Sequence, residues 1–379
     1  MSSKERMLTA IKNGKPDYVP VAPDISNMIP AKLIGKPFWD IYFYNNPPLW
    51  KGYLQALEYF NFDGWFIYGG VELKYQNAVK QESKIVLQTE EKMEVEYYYQ
   101  TPAGNLRCVT IFPKDNPPWL KEPLIKNIKE DFEKIKYFSP SYYTSYNSFD
   151  DKEFQKMKKQ LGDKGVIGVG VGVPGFHLWQ GNFRGGLEGL TYAYYDFPEI
   201  FEEWAEIQHK DIVNITEFVL KVKPDFILTG GSGAITLASP ELFRKFGLPT
   251  LKEISKMAKD AGVPTMVHCC GKEKELVKMC AEETDVNCIN PLEEPPMGDC
   301  YLDEIKKLYG NKLSLMGNIN TTFMLTARPQ EVEKACKKAI DDAGKNGGFI
   351  LSTGDQCGRD TPDENIFAMV NAARKYGKY

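Results

Sequence analysis

The sequence predicts an α/β fold, a (β/α)8 TIM barrel, from three observations. Short apolar runs bounded by glycine recur eight times along the 379 residues. Most of these runs are almost continuously apolar, which is typical of parallel strands that are covered on both faces. Helical stretches separate the runs, and repeated strand–helix alternation indicates a barrel. The eight runs are residues 19–23, 64–71, 166–172, 225–231, 263–270, 286–291, 313–318 and 348–353. A doubly wound sheet stays an alternative, because the count rests on short runs.

Three of the intervening helices carry clear start or stop signals. Ser239 is placed to cap a helix over residues 240–260, with proline in its first position. Residues 330–346 begin with acidic side chains and stop at a pair of glycines. Thr361 is expected to cap the last helix, with Pro362 as its first residue.

One region interrupts the alternation and predicts an insertion. Residues 73–163 contain two β-rich pieces, 94–100 and 106–112, joined by the turn sequence 101–105. Turn residues between two such pieces indicate a β-hairpin. We therefore expect a single TIM-barrel domain over residues 1–379, with a hairpin-containing insertion between barrel strands 2 and 3.

Composition excludes several classes of function. The net charge is −4 and the chain has no basic stretch, which argues against nucleic acid as a partner. No apolar run approaches the roughly 20 residues of a membrane span. The N-terminus is charged and lacks the apolar region of a secretory signal, so the eight cysteines are expected to be reduced thiols of a cytoplasmic protein.

His268 and Cys270 form the most informative pair in the chain. The protein has only three histidines, and this one lies two residues before a cysteine near the end of a predicted strand. Side chains two apart on a strand point to the same face, so an imidazole and a thiolate meet there and supply half of a zinc site. Cys269 points the other way, into packing. The plain alternative is that the pair is accidental, since buried cysteines usually behave as small hydrophobes.

Polar residues gather where the predicted strands end, and in a barrel the chemistry lies at the carboxyl ends of the strands. Catalytic zinc takes three protein ligands. Asp355 and Cys357 are the candidates for the third, and Cys288 is weaker because it lies within a strand. Glu293 and Asp24 are candidate proton donors. The full set is catalytic Glu293, Asp24 and His177, cofactor-binding Ser232, Asn318 and Asn320, and metal-binding His268, Cys270, Cys357 and Asp355.

Several motifs resemble the uroporphyrinogen decarboxylase superfamily, in its corrinoid-dependent zinc methyltransferase branch. They lie nearly end to end along the chain, at residues 5–21, 239–241 with 248–249, 266–271, 316–320 and 361–366. The resemblance implies a TIM barrel and a zinc ion held by the His–x–Cys pair and a later cysteine. In coenzyme M methyltransferases that cysteine directly follows a glycine. Here Asp355 follows Gly354, so the third ligand stays open between Asp355 and Cys357.

The resemblance also implies a reaction, in which a methyl group moves between a substrate and the cobalamin of a corrinoid carrier protein. Zinc acts in it as a Lewis acid. We expect O-demethylation of a small methoxylated aromatic, because aromatic residues are concentrated in the N-terminal half and the metal segment departs from the coenzyme M pattern. Three alternatives stay open: a methylcobamide:thiol methyltransferase, a metal-free decarboxylase-like lyase, and a non-catalytic corrinoid- or tetrapyrrole-binding protein. The lyase is disfavoured, because residues 23–28 lack the arginines with which the decarboxylases grip substrate carboxylates. A homodimer is also left open.

Overall fold

A computed structural model describes residues 1–25 and 27–379 of the chain. Within them it contains strands in a barrel sheet, in an antiparallel sheet and in one short pair. The strands are β1 (Gly64–Tyr68), β2 (Glu72–Lys74), β3 (Lys80–Gln88), β4 (Lys92–Thr101), β5 (Gly104–Pro113), β6 (Trp119–Glu122), β7 (Ser148–Asp150), β8 (Gly165–Gly170), β9 (Phe226–Gly230), β10 (Thr265–His268), β11 (Cys288–Asn290), β12 (Ser314–Ile319) and β13 (Phe349–Thr353).

Helices follow most of the barrel strands and form the outer layer. They are α1 (Ser3–Ile11), α2 (Met28–Ile34), α3 (Phe38–Tyr42), α4 (Leu49–Phe60), α5 (Ile128–Ile135), α6 (Lys152–Leu161), α7 (Phe176–Trp179), α8 (Gly186–Asp196), α9 (Pro198–Lys221), α10 (Pro240–Phe246), α11 (Leu248–Asp260), α12 (Lys274–Glu283), α13 (Leu302–Tyr309), α14 (Thr321–Thr326), α15 (Pro329–Ala343) and α16 (Asp363–Tyr376). No helix in the described part of the chain is long and apolar enough to cross a membrane.

The barrel sheet confirms the predicted fold class. Seven parallel strands pair in the order β1-β8-β9-β10-β11-β12-β13. The eighth predicted run, residues 19–23, lies between the two ends of this sheet. Val21 makes a parallel bridge to Leu351 of β13, and its carbonyl accepts a hydrogen bond from the Asp63 N–H, just before β1, at 2.8 Å. This run therefore closes the barrel with a single bridge rather than with a regular strand.

Alternating residues of the barrel strands build two different cores. One set points inward and packs on α1, which lies against the barrel interior; it includes Trp65, Phe226, Met266 and Cys288. The next residue along each strand, such as Val267 after Met266, packs against the outer helices. Both faces are apolar, which explains the continuous apolar runs of the sequence. Cys288 belongs to the packed interior, so it is not at the barrel mouth.

The region between β1 and β8 contains the predicted hairpin, formed by β4 and β5. This hairpin is the centre of a four-stranded antiparallel sheet in the order β3-β4-β5-β6. The sequence analysis missed β3, whose nine residues are all exposed and so lack the apolar alternation by which a strand is recognised. Met93, Val95 and Phe112 anchor the sheet on aromatic residues of α3.

Two helix predictions are wrong in detail. The helix expected over residues 240–260 is two helices, α10 and α11, which meet at Gly247 because Pro249 cannot continue the hydrogen-bond ladder of α10. The cap predicted at Thr361 is also wrong. The last helix begins one residue later than expected, and Pro362 occupies its N-cap position. Ser239 does cap α10, since its hydroxyl accepts a hydrogen bond from the Leu242 N–H at 3.2 Å.

Candidate metal and catalytic site

His268 is the last residue of β10 and lies at the barrel mouth. Met266, two residues earlier, points into the barrel interior, so the strand alternation aims His268 into the mouth. The Nε2 atom of His268 lies 3.3 Å from the Ser232 hydroxyl, in the loop after the neighbouring strand β9. Cys269 is fully buried in the outer core, as the alternation predicts.

Cys270 brings a thiol to the same place. Its sulfur lies near the Ser232 hydroxyl and near the carboxylate of Asp355, which follows β13. Burial raises the pKa of Cys270 to about 11, and the negative charges of Asp355 and Glu293 add to this effect. A bound cation would reverse the balance and favour the thiolate.

The loop after β13 separates the two candidates for a third ligand. Asp355 is half-buried, and its carboxylate lies near the Cys270 thiol. Cys357 is fully buried in the core, and this burial raises its pKa to about 12. Its thiol lies beside the hydroxyls of Thr353 and Thr361. The loop turns between the two residues, and the expectation that they face the same way does not hold.

The donor set fits zinc in its chemistry, because imidazole, thiolate and carboxylate are all ligands of zinc in proteins. His268 and Cys270 share Ser232 as a neighbour, and Asp355 lies near Cys270. Among residues 1–25 and 27–379, however, no three His, Cys, Asp or Glu side chains lie close enough together to coordinate one ion. The donors are therefore neighbours but do not form a finished coordination sphere.

Glu293 follows β11 and lies directly beside the metal segment, which follows the neighbouring strand β10. Its carboxylate accepts a hydrogen bond from the Gly271 N–H at 2.7 Å, and the residue is 8% exposed. Burial raises the pKa of Glu293, and the nearby Asp355 charge raises it further. The Glu293 carboxyl thus lies within reach of the His268–Cys270 segment.

The other two predicted catalytic residues lie at the edge of this group. The Asp24 N–H donates to the Thr353 hydroxyl at 3.0 Å, and the Asp24 carbonyl accepts from the Cys357 N–H at 2.8 Å, which places Asp24 on the Cys357 side. Burial lowers the pKa of His177 to about 4, so its ring is neutral. That ring packs on Gly231, where an added Cβ would lie 2.6 Å from the ring atom Cδ2.

Two of the predicted cofactor-binding residues have local structural roles. The Asn318 side-chain amide donates to the Leu292 carbonyl at 3.0 Å. The Asn320 side chain accepts from the Phe323 N–H at 2.9 Å and caps α14. Of the three predicted cofactor-binding residues, Ser232 is the one that lies beside the His268–Cys270 pair.

The sequence analysis missed two buried polar residues beside the site. Asn290 pairs with His268 across the sheet, is 2% exposed, and has a side-chain oxygen without a hydrogen-bond partner among the described residues. Its position at the end of a predicted strand was a usable signal. Glu273 is fully buried and its carboxyl accepts a hydrogen bond from the Leu292 N–H. Glu273 lies in the charged stretch 272–275. Such a stretch is typical of a solvated helix start, so nothing in the sequence indicates that this side chain is buried.

A half-open cavity of about 530 Å³ lies beside Glu293, between the loops after β11 and β12 and the face of α15. Its walls are mainly apolar, with Met297, Ile319 and Phe323 among them. Glu294 and Asp342 also line it, and its one lysine, Lys338, is paired with Asp342.

One family model and several curated proteins match this chain. The family model for uroporphyrinogen decarboxylase (URO-D) matches residues 100–376. The methylcobamide:CoM methyltransferase MtaA of Methanosarcina barkeri is 27% identical over 179 residues, which are 47% of this chain and 50% of that protein. The methylcobamide:CoM methyltransferase MtbA of Methanosarcina mazei is 31% identical over 143 residues, 37% of this chain and 38% of that protein.

A uroporphyrinogen decarboxylase of Anaeromyxobacter dehalogenans is 26% identical over 140 residues, 36% of this chain and 37% of that protein. The chain thus spans half or less of the length of these curated relatives. Among solved structures, a methyltransferase from Methanosarcina mazei superposes with a TM-score of 0.63 at 18% identity, over 99% of both chains. At that identity the superposition shows a common fold.

Proposed function

The chain belongs to the uroporphyrinogen decarboxylase family, as its motifs predict, and from this premise we propose that it is a zinc-dependent methyltransferase that works with a corrinoid carrier protein. The predicted resemblance to the methyltransferase branch is confirmed by relatives named methylcobamide:CoM methyltransferases. The observation that carries the proposal is that His268 and Cys270 both lie beside Ser232 at the barrel mouth, with Asp355 beside Cys270.

His268, Cys270 and Asp355 would hold the zinc ion. When bound, zinc supplies a Lewis acid that polarises the heteroatom bearing the methyl group. The burial of Cys357 supports Asp355 as the third ligand. Ser232 lies beside both other ligands and is placed to orient them, in the manner of the outer-shell groups found at metal sites.

Glu293 is the proposed proton donor. In O-demethylation the bond between the methyl carbon and oxygen breaks, and both electrons stay on the oxygen. The methyl group passes to the reduced corrinoid of the carrier protein, and the Glu293 carboxyl gives its proton to the oxygen that is left. A raised pKa suits a group that must carry a proton at neutral pH. A corrinoid protein is too large to enter the barrel, so it docks over the mouth.

The proposed methyl donor is a small methoxylated aromatic compound. The cavity beside Glu293 is large enough for one ring, and its apolar walls suit a neutral ligand. Acidic residues line it, and its lysine is already paired with one of them, so an anionic group would be disfavoured there.

A methylcobamide:thiol methyltransferase is the second candidate, because the relatives' names state that reaction. In that case the methyl group moves from the corrinoid to a thiol, and zinc coordination supplies the thiol as its thiolate. The departure at Gly354-Asp355 from the coenzyme M pattern disfavours this candidate.

Metal analysis of the purified protein beside a His268→Ala variant tests the proposal. We expect about one zinc per wild-type chain and almost none in the variant, as for a site with three protein ligands. The second measurement is methyl transfer from methoxylated aromatics to cob(I)alamin, with methyl-cobalamin and a thiol as the reverse assay. Zinc-free wild-type protein, or full turnover by His268→Ala, would refute the zinc mechanism. Activity only with the thiol would establish the second candidate.

A further inference from the structure

Glu273 is a buried carboxyl that the proposed reaction does not use. It lies three residues after Cys270, at the N-cap position of α12, and is fully buried. A buried carboxyl without a charge partner costs stability unless hydrogen bonds compensate it. Its contacts therefore indicate what keeps it there.

The Glu273 carboxyl holds the backbone that carries Glu293. One oxygen accepts a hydrogen bond from the Leu292 N–H, and the Glu293 N–H lies within reach of the same group. In the opposite direction, the Glu293 carboxylate accepts from the Gly271 N–H at 2.7 Å. Two reciprocal bonds between a carboxyl and a backbone N–H thus join the segment 271–273 to residues 292–293.

The remaining backbone groups of this turn are also bound. The Leu292 carbonyl accepts from the Asn318 amide at 3.0 Å, and the Glu293 carbonyl accepts from the Cys300 N–H at 3.0 Å. Leu292 has a φ of 62°, a conformation that a side chain other than glycine adopts only when its surroundings impose it. Gly298 fits closely between the two segments, since an added Cβ would lie 2.1 Å from the Glu293 carbonyl oxygen and 2.7 Å from that of Gly271.

We propose that Glu273 is the positioning residue for Glu293, fixing it at a set distance from the His268–Cys270 segment. Glu273 touches neither substrate nor metal and acts through the backbone of residues 292–293. The inference rests on the proposed function only for the role of Glu293 as proton donor. A shift of about 1 Å in such a group can cost on the order of 100-fold in rate.

Two substitutions separate this role from packing alone. Burial raises the pKa of Glu273 well above its usual range, and Glu273→Gln keeps both the shape of the side chain and its acceptor oxygen. Glu273→Leu keeps most of the volume and removes the acceptor. Asp299→Ala is the matched control. Asp299 accepts from the Glu273 and Lys274 N–H groups at 2.9 and 3.0 Å, so this variant loosens the same helix end and leaves the bonds at residues 271 and 292 in place.

The readouts are amide hydrogen exchange, zinc content, and kcat and KM for methyl transfer. In Glu273→Leu we expect the Leu292 and Glu293 amides to exchange at least about tenfold faster, and kcat to fall about 100-fold with KM and zinc content unchanged. In Glu273→Gln the Leu292 and Glu293 amides should exchange as slowly as in the wild type, and kcat should stay within about threefold of the wild-type value. Asp299→Ala should show the same exchange and kcat, with a lower thermal stability. A Glu273→Leu variant that behaves like Asp299→Ala in exchange and kcat overturns the proposal.

Two further outcomes are also decisive. If Glu273→Leu does not fold, Glu273→Asp keeps a carboxyl but draws it back from the Leu292 N–H by one methylene, and should give the same pattern of faster exchange and lower kcat with zinc retained. Unchanged exchange and kcat in that variant overturn the proposal. If the wild-type protein transfers no methyl group, the proposed function has failed. The exchange comparison then still decides whether Glu273 holds the turn.

Discussion

The loop after β10 and the loop after β13 both bring candidate metal ligands to the barrel mouth, but they are held differently. The segment 268–273 is tied to the neighbouring turn by buried bonds, from the Gly271 N–H to Glu293 and from the Leu292 N–H to Glu273. The loop 354–360 is held by main-chain bonds, such as the one from the Cys357 N–H to the Asp24 carbonyl at 2.8 Å, and by a surface ion pair between Arg359 and Asp115 of the insertion. Exposed ion pairs contribute little, so the main-chain bonds hold this loop. Side-chain carboxyls therefore fix the first half of the proposed metal site, and main-chain bonds fix the second.

The largest effect is expected from removing, one at a time, the two candidate ligands on the loop after β13. Asp355→Ala should weaken zinc binding by at least about 100-fold, because it removes a ligand. Cys357→Ala should keep the zinc and lower the free energy of unfolding by about 1 kcal/mol, the cost of a small cavity in the core. Zinc titration and chemical denaturation measure both. Loss of zinc from Cys357→Ala alone would instead make the buried thiol the ligand.

A second large effect is expected at Glu293, beside the loop after β10. Glu293→Gln should lower kcat by about 100-fold or more, because the amide cannot deliver a proton, while the zinc content stays at the wild-type level. Glu282→Gln is the matched control, since this side chain is exposed on α12 and does not line the cavity. Steady-state kinetics of Glu293→Gln and of its control variant measures the difference in kcat. Equal kcat in the two variants would remove Glu293 from the mechanism.

An effect of intermediate size is expected at His177, in the segment after β8, which should make the free energy of unfolding depend on pH. Its pKa is lowered by burial to about 4 in the folded protein, so folding favours the neutral ring. The stability is complete above the ordinary pKa near 6.5 and is lost as the pH falls towards 4. The loss amounts to at most about 3 kcal/mol.

Denaturant unfolding at pH 7 and at pH 4.5 measures this loss. A His177→Phe variant should show a flatter dependence between these two values, because it has no ring to protonate. The same slope in variant and wild type would assign the acid sensitivity to other groups.

The smallest effect is expected at the contact between loop and insertion. Asp115→Asn breaks an exposed ion pair with Arg359, so the free energy of unfolding should fall by less than about 1 kcal/mol. Zinc affinity should fall by less than about tenfold, since the ligand itself remains. A larger loss of zinc would show that the insertion holds the metal loop more firmly than a surface pair can.

Much of the fold was predictable because the barrel strands are apolar on both faces. That pattern located all eight runs and the end of β10, and the spacing of His268 and Cys270 then indicated a shared direction. The strand β3 left no such pattern, because all of its residues are exposed. The predictions of one domain over residues 1–379, a cytoplasmic location and a homodimer stay predictions.

The site was predictable only where a side chain's direction follows from its own strand. The sequence by itself determined the barrel, the family, and the pair His268 and Cys270 at a strand end. It could not separate Asp355 from Cys357, because the turn between them depends on contacts with residues far away in the chain. It also could not single out Glu273, since a glutamate in a charged stretch is usually solvated. Burial of that carboxyl was decided by the packing of the loops after β10 and β11, and such packing is a property of the tertiary structure alone.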